Sequence, residues 1–506
     1  MTKKHALLKQ YFGYDRFLSG QGEAVDALLA NRDLLAVMPT GAGKSLCFQL
    51  PALCLPGVTL VISPLISLMA DQVMALKQMG VPAAYLNSSL TDRQFSLAMQ
   101  YARQGRYKLI YVAPERLHTP SFLDFAQQAN ISLIAVDEAH CVSQWGPDFR
   151  PSYLSIPNFV AQLPQRPPVG AFTATATPEV QEDIIRQLDL QNPERIVTGF
   201  DRPKLRFTVR QPKDKMNALR DIIAAHPGEA GVVYCATRKS VEEVCEALQN
   251  AGLPATRYHA GLELQERRDN QDDFLYDRCL IMVATNAFGM GIDKSNVRYV
   301  VHYNMPLDLE SYYQEAGRAG RDGSEAECIL LYAKKDVNLA QFLLDRSEFP
   351  EEMDAETQAA QKARNQERLK QMVFYSTTPR CLRQFMMGYF GQYADAHCGN
   401  CSNCLQPGQR EIERFGVTAP RSVPQKGEGS RGSDGDLYQL LRTLRTKVAR
   451  KEGLPPFMIF SDKTLQEIAR LRPTNQTEFM KISGVGKQKL TQYGDLFLDE
   501  VRNYLK

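Results

Sequence analysis

The sequence predicts an α/β protein in which two similar domains, each built on a parallel sheet, stand in tandem and precede smaller helical units. Between residues 30 and 200, short apolar segments such as DLLAVMP, KLIYVAP and ISLIAVDE alternate with longer segments of helical periodicity. Continuous apolar runs separated by helices are typical of strands that are buried on both faces of a sheet. A second series of this kind runs from GVVYCAT to CILLYA, over about residues 215–335. The repetition predicts two domains of one architecture.

The limits of the domains follow from the points at which these patterns change. A chain of 506 residues is too long for a single core. After the second series come a helical stretch with clustered cysteines, a stretch dense in Gly, Pro, Ser and charge, and a final stretch of helical periodicity. The middle stretch has the composition of a flexible linker. We expect the sheet domains at 1–205 and 206–340, the cysteine unit at 341–407, the linker at 408–434 and an all-α domain at 435–506.

Composition and charge exclude several classes of protein. With 44% hydrophobic and 23% charged residues, the chain is neither disordered nor fibrous in composition. The sequence contains no export signal and no run of about 18 apolar residues, so we expect no membrane partner. A cytoplasmic location follows, associated with the nucleoid if the source is bacterial. The net charge of +3 is only weakly indicative of nucleic acid.

A phosphate-binding loop is predicted at residues 38–45, MPTGAGKS, between an apolar strand and a helix. Its glycines let backbone N–H groups surround phosphate oxygens, Lys44 reaches the β- and γ-phosphates of ATP, and Ser45 holds Mg²⁺. Met38 stands where the strict pattern has glycine, and a glycine-rich turn without nucleotide is the alternative. The nucleotide-binding residues expected in the loop are Thr40, Gly41, Gly43, Lys44 and Ser45.

The tetrapeptide DEAH at residues 137–140 follows the apolar run ISLIAV. At the end of a strand, Asp137 is placed to complete the Mg²⁺ coordination, and Glu138 to polarise the attacking water. A helix that begins with capping acids would explain the tetrapeptide alone. The phosphate-binding loop about 90 residues upstream favours the catalytic interpretation.

Positive charge for ATP hydrolysis is expected from the segment QEAGRAGR in the second domain. Arg318 and Arg321 are three residues apart, so on a helix they would share a face. An arginine that reaches the γ-phosphate from another domain accelerates hydrolysis by about 10³–10⁵. Two arginines on a solvated helix are the alternative.

An aromatic loop, CVSQWGPDFRPSY, comes directly after DEAH and contains the single tryptophan of the chain. A lone tryptophan commonly lies in a core. Here the neighbours are polar and the loop is broken by Gly and Pro, which favours base stacking by Trp145 and Phe149, with Arg150 on a phosphate. Stacking tolerates any base sequence, as movement along a single strand requires.

Four of the eleven cysteines form the pattern C-x16-C-x2-C-x2-C, which predicts a tetrahedral zinc site. An iron–sulfur cluster is the alternative, because four thiolates also bind that group. The remaining seven cysteines are scattered, mostly in apolar runs, and are expected to be inert. The proposed ligands are Cys381, Cys398, Cys401 and Cys404.

Taken in order, the motifs resemble those of superfamily 2 helicases, and more narrowly those of the RecQ family of DNA helicases. The matching segments are GYDRFLSGQ, MPTGAGKS, SPLISLMADQ, APERL, DEAHCVSQWGPDFRPSY, FTATAT, VATNAFGMGIDK and QEAGRAGRDG. The resemblance covers about residues 10–407 and 435–506. It implies two RecA-like P-loop domains, a zinc-binding unit and a helical HRDC-like domain, with ATP, Mg²⁺ and Zn²⁺ as cofactors.

The same resemblance implies roles for further residues. Tyr14 and Gln21 would contact adenine, and Asp293 would lie near the nucleotide. Leu18 departs from the arginine that is usual in the family at this place, which leaves the selection of adenine less firmly based than phosphate binding. The residues implied to couple hydrolysis to domain movement are His140, Thr173 and Thr175. The residues implied to contact the DNA backbone are Ser63 with its SPLISL turn, Arg116, Thr237, Arg238 and Thr285.

As a member of this family, the protein would move 3′ to 5′ along DNA and unwind it in repair and recombination. Single-stranded and partly duplex DNA would be its substrates, a single-stranded DNA-binding protein a further partner, and the monomer its state. An HRDC-like domain would bind single strands, and Phe457 and the turn at residues 484–487 are candidate contacts, although Phe457 fits a core equally well.

The family also leads one to expect a winged-helix domain after the zinc unit, and residues 408–434 are too few and too polar to form it. A factor that only binds or anneals single strands and switches DNA affinity with ATP is therefore an alternative function. An RNA helicase is a third, against which the cysteine unit and the HRDC-like tail argue.

Overall fold

The computed structural model describes residues 2–64, 66–87, 89–146, 148–288, 294–346, 355–406 and 434–505. Within these residues, contacts between Cα atoms divide the chain into two compact units. The first unit combines residues up to 200 with those from 471 onward, and the second runs from residue 201 to 470. The predicted linker lies almost wholly outside the described residues.

The first unit is built on a seven-stranded sheet in which every neighbouring pair of strands is parallel. The strand order is β3-β4-β2-β5-β6-β1-β7. The strands are β1 (Leu34–Val37), β2 (Val58–Ile62), β3 (Ala83–Leu86), β4 (Leu109–Val112), β5 (Ile131–Val136), β6 (Val169–Thr173) and β7 (Glu194–Val197). The helices of residues 2–200 are α1 (Lys3–Leu7), α2 (Gln21–Leu29), α3 (Lys44–Cys54), α4 (Ile66–Gln78), α5 (Asp92–Arg103), α6 (Pro120–Gln128), α7 (Ile156–Ala161) and α8 (Pro178–Gln187).

The core of this sheet explains why its central strands read as continuous apolar runs. All four residues of β1 and all five of β2 and β6 are buried, because helices cover both faces of the sheet. Phe48 of α3 packs edge-to-face on Phe172 of β6, with 5.2 Å between ring centroids. The helix that follows β1 is thereby fixed on the sheet.

The second unit repeats the architecture with a six-stranded parallel sheet of order β10-β11-β9-β12-β13-β8. Its strands are β8 (Leu205–Arg210), β9 (Ala230–Tyr234), β10 (Ala255–Tyr258), β11 (Ile281–Ala284), β12 (Val297–His302) and β13 (Ala326–Leu331). Its sheet-domain helices are α9 (Lys215–Ala225), α10 (Arg238–Asn250), α11 (Leu264–Leu275), α12 (Leu309–Ala316) and α13 (Lys334–Asp345). The prediction of two tandem parallel-sheet domains is confirmed.

The cysteine unit comprises α14 (Ala355–Thr377), α15 (Leu382–Tyr389) and α16 (Ser402–Leu405) and is attached to the edge strand β8. Arg383 forms an ion pair with Asp201 and donates to the carbonyl of Leu205 at 2.6 Å. Asn400 donates to the carbonyl of Pro203 at 3.0 Å, and the N–H of Val209 donates to Ser402 Oγ at 3.3 Å. These bonds supply partners to a sheet edge whose polar backbone groups would otherwise need water.

The C-terminal helices are α17 (Asp434–Glu452), α18 (Pro456–Ile459), α19 (Asp462–Leu471), α20 (Gln476–Phe479), α21 (Lys487–Lys489) and α22 (Asp495–Leu505). Those before residue 471 pack in the second unit through buried charges. Arg298 pairs with Asp322 at 2.5 Å and with Asp462 at 3.5 Å, and Asp462 also pairs with Arg445 at 2.7 Å. No helix within the described ranges is long and apolar enough to cross a membrane.

Candidate functional site

The phosphate-binding loop connects β1 to α3 at the carboxyl edge of the first sheet. Gly41 and Gly43 have φ of 83° and 73°, which only glycine adopts without strain. Lys44 and Ser45 are the first two residues of α3, so they lie at a helix N-terminus, where free N–H groups and the helix dipole favour phosphate. In this structure Lys44 Nζ donates to the carbonyl of Met38 at 3.1 Å. The buried Thr40 completes the loop.

Gln21 links the predicted adenine segment to this loop. Its Nε2 donates to the carbonyl of Ala42 at 2.9 Å and to that of Gly43 at 3.3 Å, while its Oε1 accepts the N–H of Leu18 at 2.9 Å. A Cβ on Gly43 would lie 2.5 Å from Gln21 Nε2. Gly43 is therefore required for this approach as well as for its backbone angles. Tyr14 is 44% exposed and Leu18 57%, and both are accessible to a ligand.

The DEAH acids follow β5 at the same edge, because the carboxyl ends of parallel strands lie together. The Asp137 carboxyl is buried, and Glu138 takes the left-handed conformation with φ 47°. Burial, followed by repulsion from Glu138, raises the pKa of Asp137 to about 7, whereas the charge of Lys44 lowers that pKa. A divalent cation at Asp137 would stabilise its ionised form. The carboxyl groups of Asp137 and Glu138 at this edge of the sheet therefore fit a bound Mg²⁺.

The predicted coupling residues His140, Thr173 and Thr175 lie close together near the end of β6, between the DEAH acids after β5 and the phosphate-binding loop after β1. His140 Nδ1 lies 2.8 Å from Thr173 Oγ1 and 3.4 Å from Glu138 Oε2. Thr173 ends β6, which lies between β5 and β1 in the sheet. Its Oγ1 donates to the carbonyl of Thr175 at 3.2 Å, so both threonines belong to one hydrogen-bonded turn. His140 therefore contacts both that turn and Glu138.

The aromatic loop continues directly from His140. Trp145 is 41% exposed, so it does not lie in the core, which was the alternative from sequence. The N–H of Arg150 donates to the carbonyl of Cys141 at 2.8 Å, and its guanidinium donates to that of Pro64 at 3.2 Å. Phe149 is half-buried. Hydrogen bonds therefore hold both ends of the loop, and Trp145 between them is partly exposed.

Other predicted DNA-binding residues lie on strand ends or loops of their own units. In the first unit, the guanidinium of Arg116 stacks 4.9 Å from the ring of Phe95. In the second, Thr237 follows β9 and caps α10 by accepting the N–H of Ser240 at 3.1 Å, and Arg238 is exposed beside it. Thr285 follows β11, the neighbour of β9, so it lies at the same sheet edge.

Arg318 and Arg321 do not share a helix face, and that expectation is wrong. α12 ends at Ala316, and the next residues form turns in which Gly320 has φ 58°. Sequence reasoning also missed Arg202, whose guanidinium donates to the carbonyls of Gly317, Ala319 and Gly320 at 2.7–2.9 Å. Its segment, DRPKL, has no periodicity or motif that would have indicated this role.

A second missed residue is Tyr153, which is fully buried and donates its hydroxyl to the carbonyl of Asp137 at 2.9 Å. The sequence signal was only its place at the end of the aromatic loop. Of the predicted site residues, Asp293 lies outside the described residues.

The four cysteine sulfurs converge, and all lie within 4.8 Å of one another. The Sγ atoms of Cys398 and Cys404 are 4.0 Å apart and those of Cys381 and Cys401 are 3.9 Å apart. A zinc ion with Zn–S bonds of about 2.3 Å requires ligand sulfurs about 3.8 Å apart in a tetrahedron. The set fits a single four-coordinate ion. A cluster of several irons would hold its sulfurs further apart, because the thiolates bind different irons.

The candidate single-strand contacts of the C-terminal helices are engaged in packing. Phe457 is half-buried, with its ring centroid 5.9 Å from Lys294 Nζ. In the first unit, the N–H of Gly484 donates to the carbonyl of Gly13 at 3.2 Å. These groups therefore have structural partners within the chain.

Four family models match the chain. They are DEAD/DEAH box helicase over residues 19–184, Helicase conserved C-terminal domain over 214–323, RecQ zinc-binding over 334–405 and HRDC domain over 434–501. Two tandem sheet domains with a phosphate-binding loop and a DEAH corner at one edge define the chain as a helicase-type ATPase.

Similarity to individual proteins identifies the family within this class. The ATP-dependent DNA helicase RecQ of Bacillus subtilis is 37% identical over 100% of this chain and 99% of its own length. That of Haemophilus influenzae is 36% identical over 99% and 96%. The structure of S. cerevisiae Dbp5 bound to RNA and ADP BeF3 matches the fold with a TM-score of 0.55 and 19% identity, over 73% of this chain and 98% of that one. The chain belongs to the RecQ family of ATP-dependent DNA helicases.

Proposed function

We propose that the protein hydrolyses ATP when bound to single-stranded DNA, moves 3′ to 5′ along it and unwinds duplex DNA during repair and recombination. Two observations support this proposal. Lys44, the DEAH acids and Thr173 lie at one edge of the first sheet, and the loop that contains Trp145 follows His140 directly. Occupation of that loop by DNA therefore acts on the residues beside the γ-phosphate. The polarity rests on the family alone.

Each group at the corner has a separate chemical task. Lys44 binds the β- and γ-phosphates, and Glu138 orients the attacking water and accepts its proton. Ser45 and Asp137 would hold Mg²⁺, which neutralises developing charge on the phosphates when bound. Tyr14, Gln21 and Asp293 complete the nucleotide site. Domain closure brings Arg318 or Arg321 to the γ-phosphate, and the turn that carries both is held by Arg202.

The DNA path uses stacking and backbone contacts without reading sequence. Trp145 and Phe149 stack on bases, Arg150 binds a phosphate, and Arg116 binds a phosphate from the first domain. Thr237, Arg238 and Thr285 supply contacts from one edge of the second sheet. Because every base has a π-face, such a path suits a motor that must pass over any sequence.

The cysteine unit is proposed to hold zinc rather than an iron–sulfur cluster. The sulfur separations of 3.9 and 4.0 Å support a single ion. Because the unit is bonded to β8, metal binding would also stabilise the edge of the second sheet.

The chain is proposed to lack a winged helix between the zinc unit and the HRDC domain. The family models for those two domains leave residues 406–433 between them. The alignment with the Bacillus subtilis protein runs over 596 positions, although this chain has 506 residues, so about 90 positions of that protein lie opposite gaps.

We propose that the protein acts as a monomer near the nucleoid, with single-stranded DNA-binding protein as a partner.

Strand displacement tests this function. Duplexes with a 3′ or a 5′ single-stranded tail are incubated with the protein and ATP, and the released strand is measured. We expect release from the 3′-tailed duplex, and none with a non-hydrolysable ATP analogue or with Lys44→Ala, because Lys44 is needed for phosphate binding. ATP-dependent changes in DNA affinity without strand release would instead favour the annealing factor, and release only from the 5′-tailed duplex would reverse the polarity.

A further inference from the structure

In the first unit, the turn at residues 484–487 packs against the N-terminal turn, a single π-helical turn over Leu8–Phe12 that ends at Gly13 and precedes the predicted adenine-binding residues. The N–H of Gly484 donates to the carbonyl of Gly13 at 3.2 Å, and Val485 and Gly486 are buried. Tyr14 follows Gly13 directly. A segment from the far end of the sequence therefore contacts the approach to the nucleotide site.

This contact is made between backbones and depends on two glycines. Gly13 has φ 75°, and a Cβ on it would lie 2.7 Å from both N and C of Val485. A Cβ on Gly486 would lie 3.0 Å from the carbonyl oxygen of Tyr11. At Gly13 a Cβ would clash with the backbone of Val485, and at Gly486 it would make a contact so tight that the neighbouring backbone would have to shift, so side chains at these positions oppose the fit of the two turns.

The N-terminal turn also packs on the phosphate-binding helix. Leu8 and Phe12 form one buried apolar cluster with Leu46 and Leu50 of α3, the helix that begins at Lys44. The N-terminal turn therefore contacts both the C-terminal segment and the phosphate-binding helix. The turn ends at Gly13, so the conformation of Gly13 determines the position of Tyr14.

We propose that the turn at residues 484–487 is a positioning element of the nucleotide site. It holds Gly13 in its left-handed conformation and so fixes the Tyr14 ring beside adenine. This inference rests on the proposed role of Tyr14 in adenine binding. Loosening the contact should weaken adenine recognition while Lys44, Glu138 and the arginines continue to act on the phosphates.

Gly486→Leu tests the proposal in the full chain. Gly486 has φ −87° and ψ 168°, which leucine adopts freely, so the substitution acts through the contact and not through its own backbone. Gly435→Leu is the matched control, because a Cβ there meets nothing within 4 Å. KM and kcat for ATP and for GTP are measured with saturating single-stranded DNA, together with melting temperature and bound metal.

We expect Gly486→Leu to raise KM for ATP by roughly 3–10-fold with kcat changed less than about 2-fold, because the lost interaction is made equally in the ground and transition states. The preference for ATP over GTP should fall by a similar factor, which general destabilisation would not produce. Gly435→Leu should match the parent protein. If Gly486→Leu does not fold, Gly486→Ala is judged by the same criteria.

Tyr14→Ala separates this inference from the function on which it rests. If the turn acts through Tyr14, the double variant Tyr14→Ala with Gly486→Leu should show no more loss than Tyr14→Ala alone. Fully additive losses, or an unchanged KM and base preference in Gly486→Leu while Tyr14→Ala alters both, would overturn the inference and leave the proposed function intact. If Tyr14→Ala itself changes neither, the adenine role of Tyr14 is wrong and the inference falls with it.

Discussion

Glu138 has a backbone conformation that residues other than glycine rarely adopt, with φ and ψ both 47°. Such conformations cost about 1–3 kcal/mol and persist where the surrounding structure fixes them. Here the hydroxyl of Tyr153 binds the preceding carbonyl, that of Asp137, and His140 lies 3.4 Å from the Glu138 carboxylate. These neighbours therefore fix the position of Glu138, and His140 links Glu138 to Thr173 because it contacts both.

Trp145 is the residue through which we expect DNA to reach this network. Trp145→Ala should retain ATP binding but lose most of the stimulation of ATP hydrolysis by DNA, with a fall of about 10-fold or more. Stacking is worth about 1–3 kcal/mol per base, and its loss also removes the signal to His140. Steady-state ATP hydrolysis is measured across single-stranded DNA concentrations.

Tyr393→Ala is the control for this variant, since Tyr393 is an aromatic residue 93% exposed outside the aromatic loop. It should retain normal stimulation. DNA-stimulated turnover of Trp145→Ala equal to that of the parent protein would refute the sensor role.

At the scale of elements, the sequence predicted best what lies at the centre of the sheets. β1, β2 and β6 are buried throughout, so their apolar runs are continuous and visible. The edge strand β7 has alternating half-buried and exposed residues, and β8 alternates buried with half-buried ones, so neither shows such a run. The phosphate-binding loop and the DEAH tetrapeptide were predictable because they follow the inner strands β1 and β5.

Elements set by tertiary contacts were not predictable in this way. The segment of Arg318 and Arg321 leaves the helix after Ala316, where Gly320 takes the left-handed conformation and Arg202 binds the carbonyls of the resulting turn. The contact of Gly13 with residues 484–487 joins segments some 470 residues apart, and no local pattern indicates it. The motifs in the sequence indicate the reactive residues, but the residues that position them lie in distant segments of the chain.

The cysteine unit offers a prediction at the same scale. Cys401→Ser should lose the bound metal and lower the melting temperature, because Cys401 is buried and one of four converging ligands. Structural zinc contributes about 10–16 kcal/mol in zinc-finger peptides, so one missing ligand should suffice to disrupt the unit. Metal content is measured by elemental analysis.

Cys54→Ser provides the control, because Cys54 is half-buried and lies outside the four-cysteine group. It should keep one equivalent of zinc. A colourless parent protein with zinc supports the proposed ion, whereas a brown protein containing iron and sulfide would contradict it.

In the whole molecule, the proposed mechanism assigns different roles to the two similar sheet domains. The first holds the phosphate-binding loop, the DEAH acids and the aromatic loop, and the second holds Arg318 and Arg321 on a turn anchored by Arg202. In the proposed mechanism, ATP hydrolysis requires groups from both domains. We propose that catalysis needs both, and that DNA bound across them drives the closure that completes the site.

A single-turnover measurement of ATP hydrolysis on saturating single-stranded DNA tests this claim most directly. It compares Arg318→Ala and Arg321→Ala with Arg220→Ala, a control at an exposed position of α9. At least one of the first two variants should hydrolyse ATP about 10³-fold or more slowly while binding it within about 3-fold of normal, because the lost guanidinium acts only in the transition state. Rates within about 3-fold of the parent protein for both variants would contradict the two-domain mechanism.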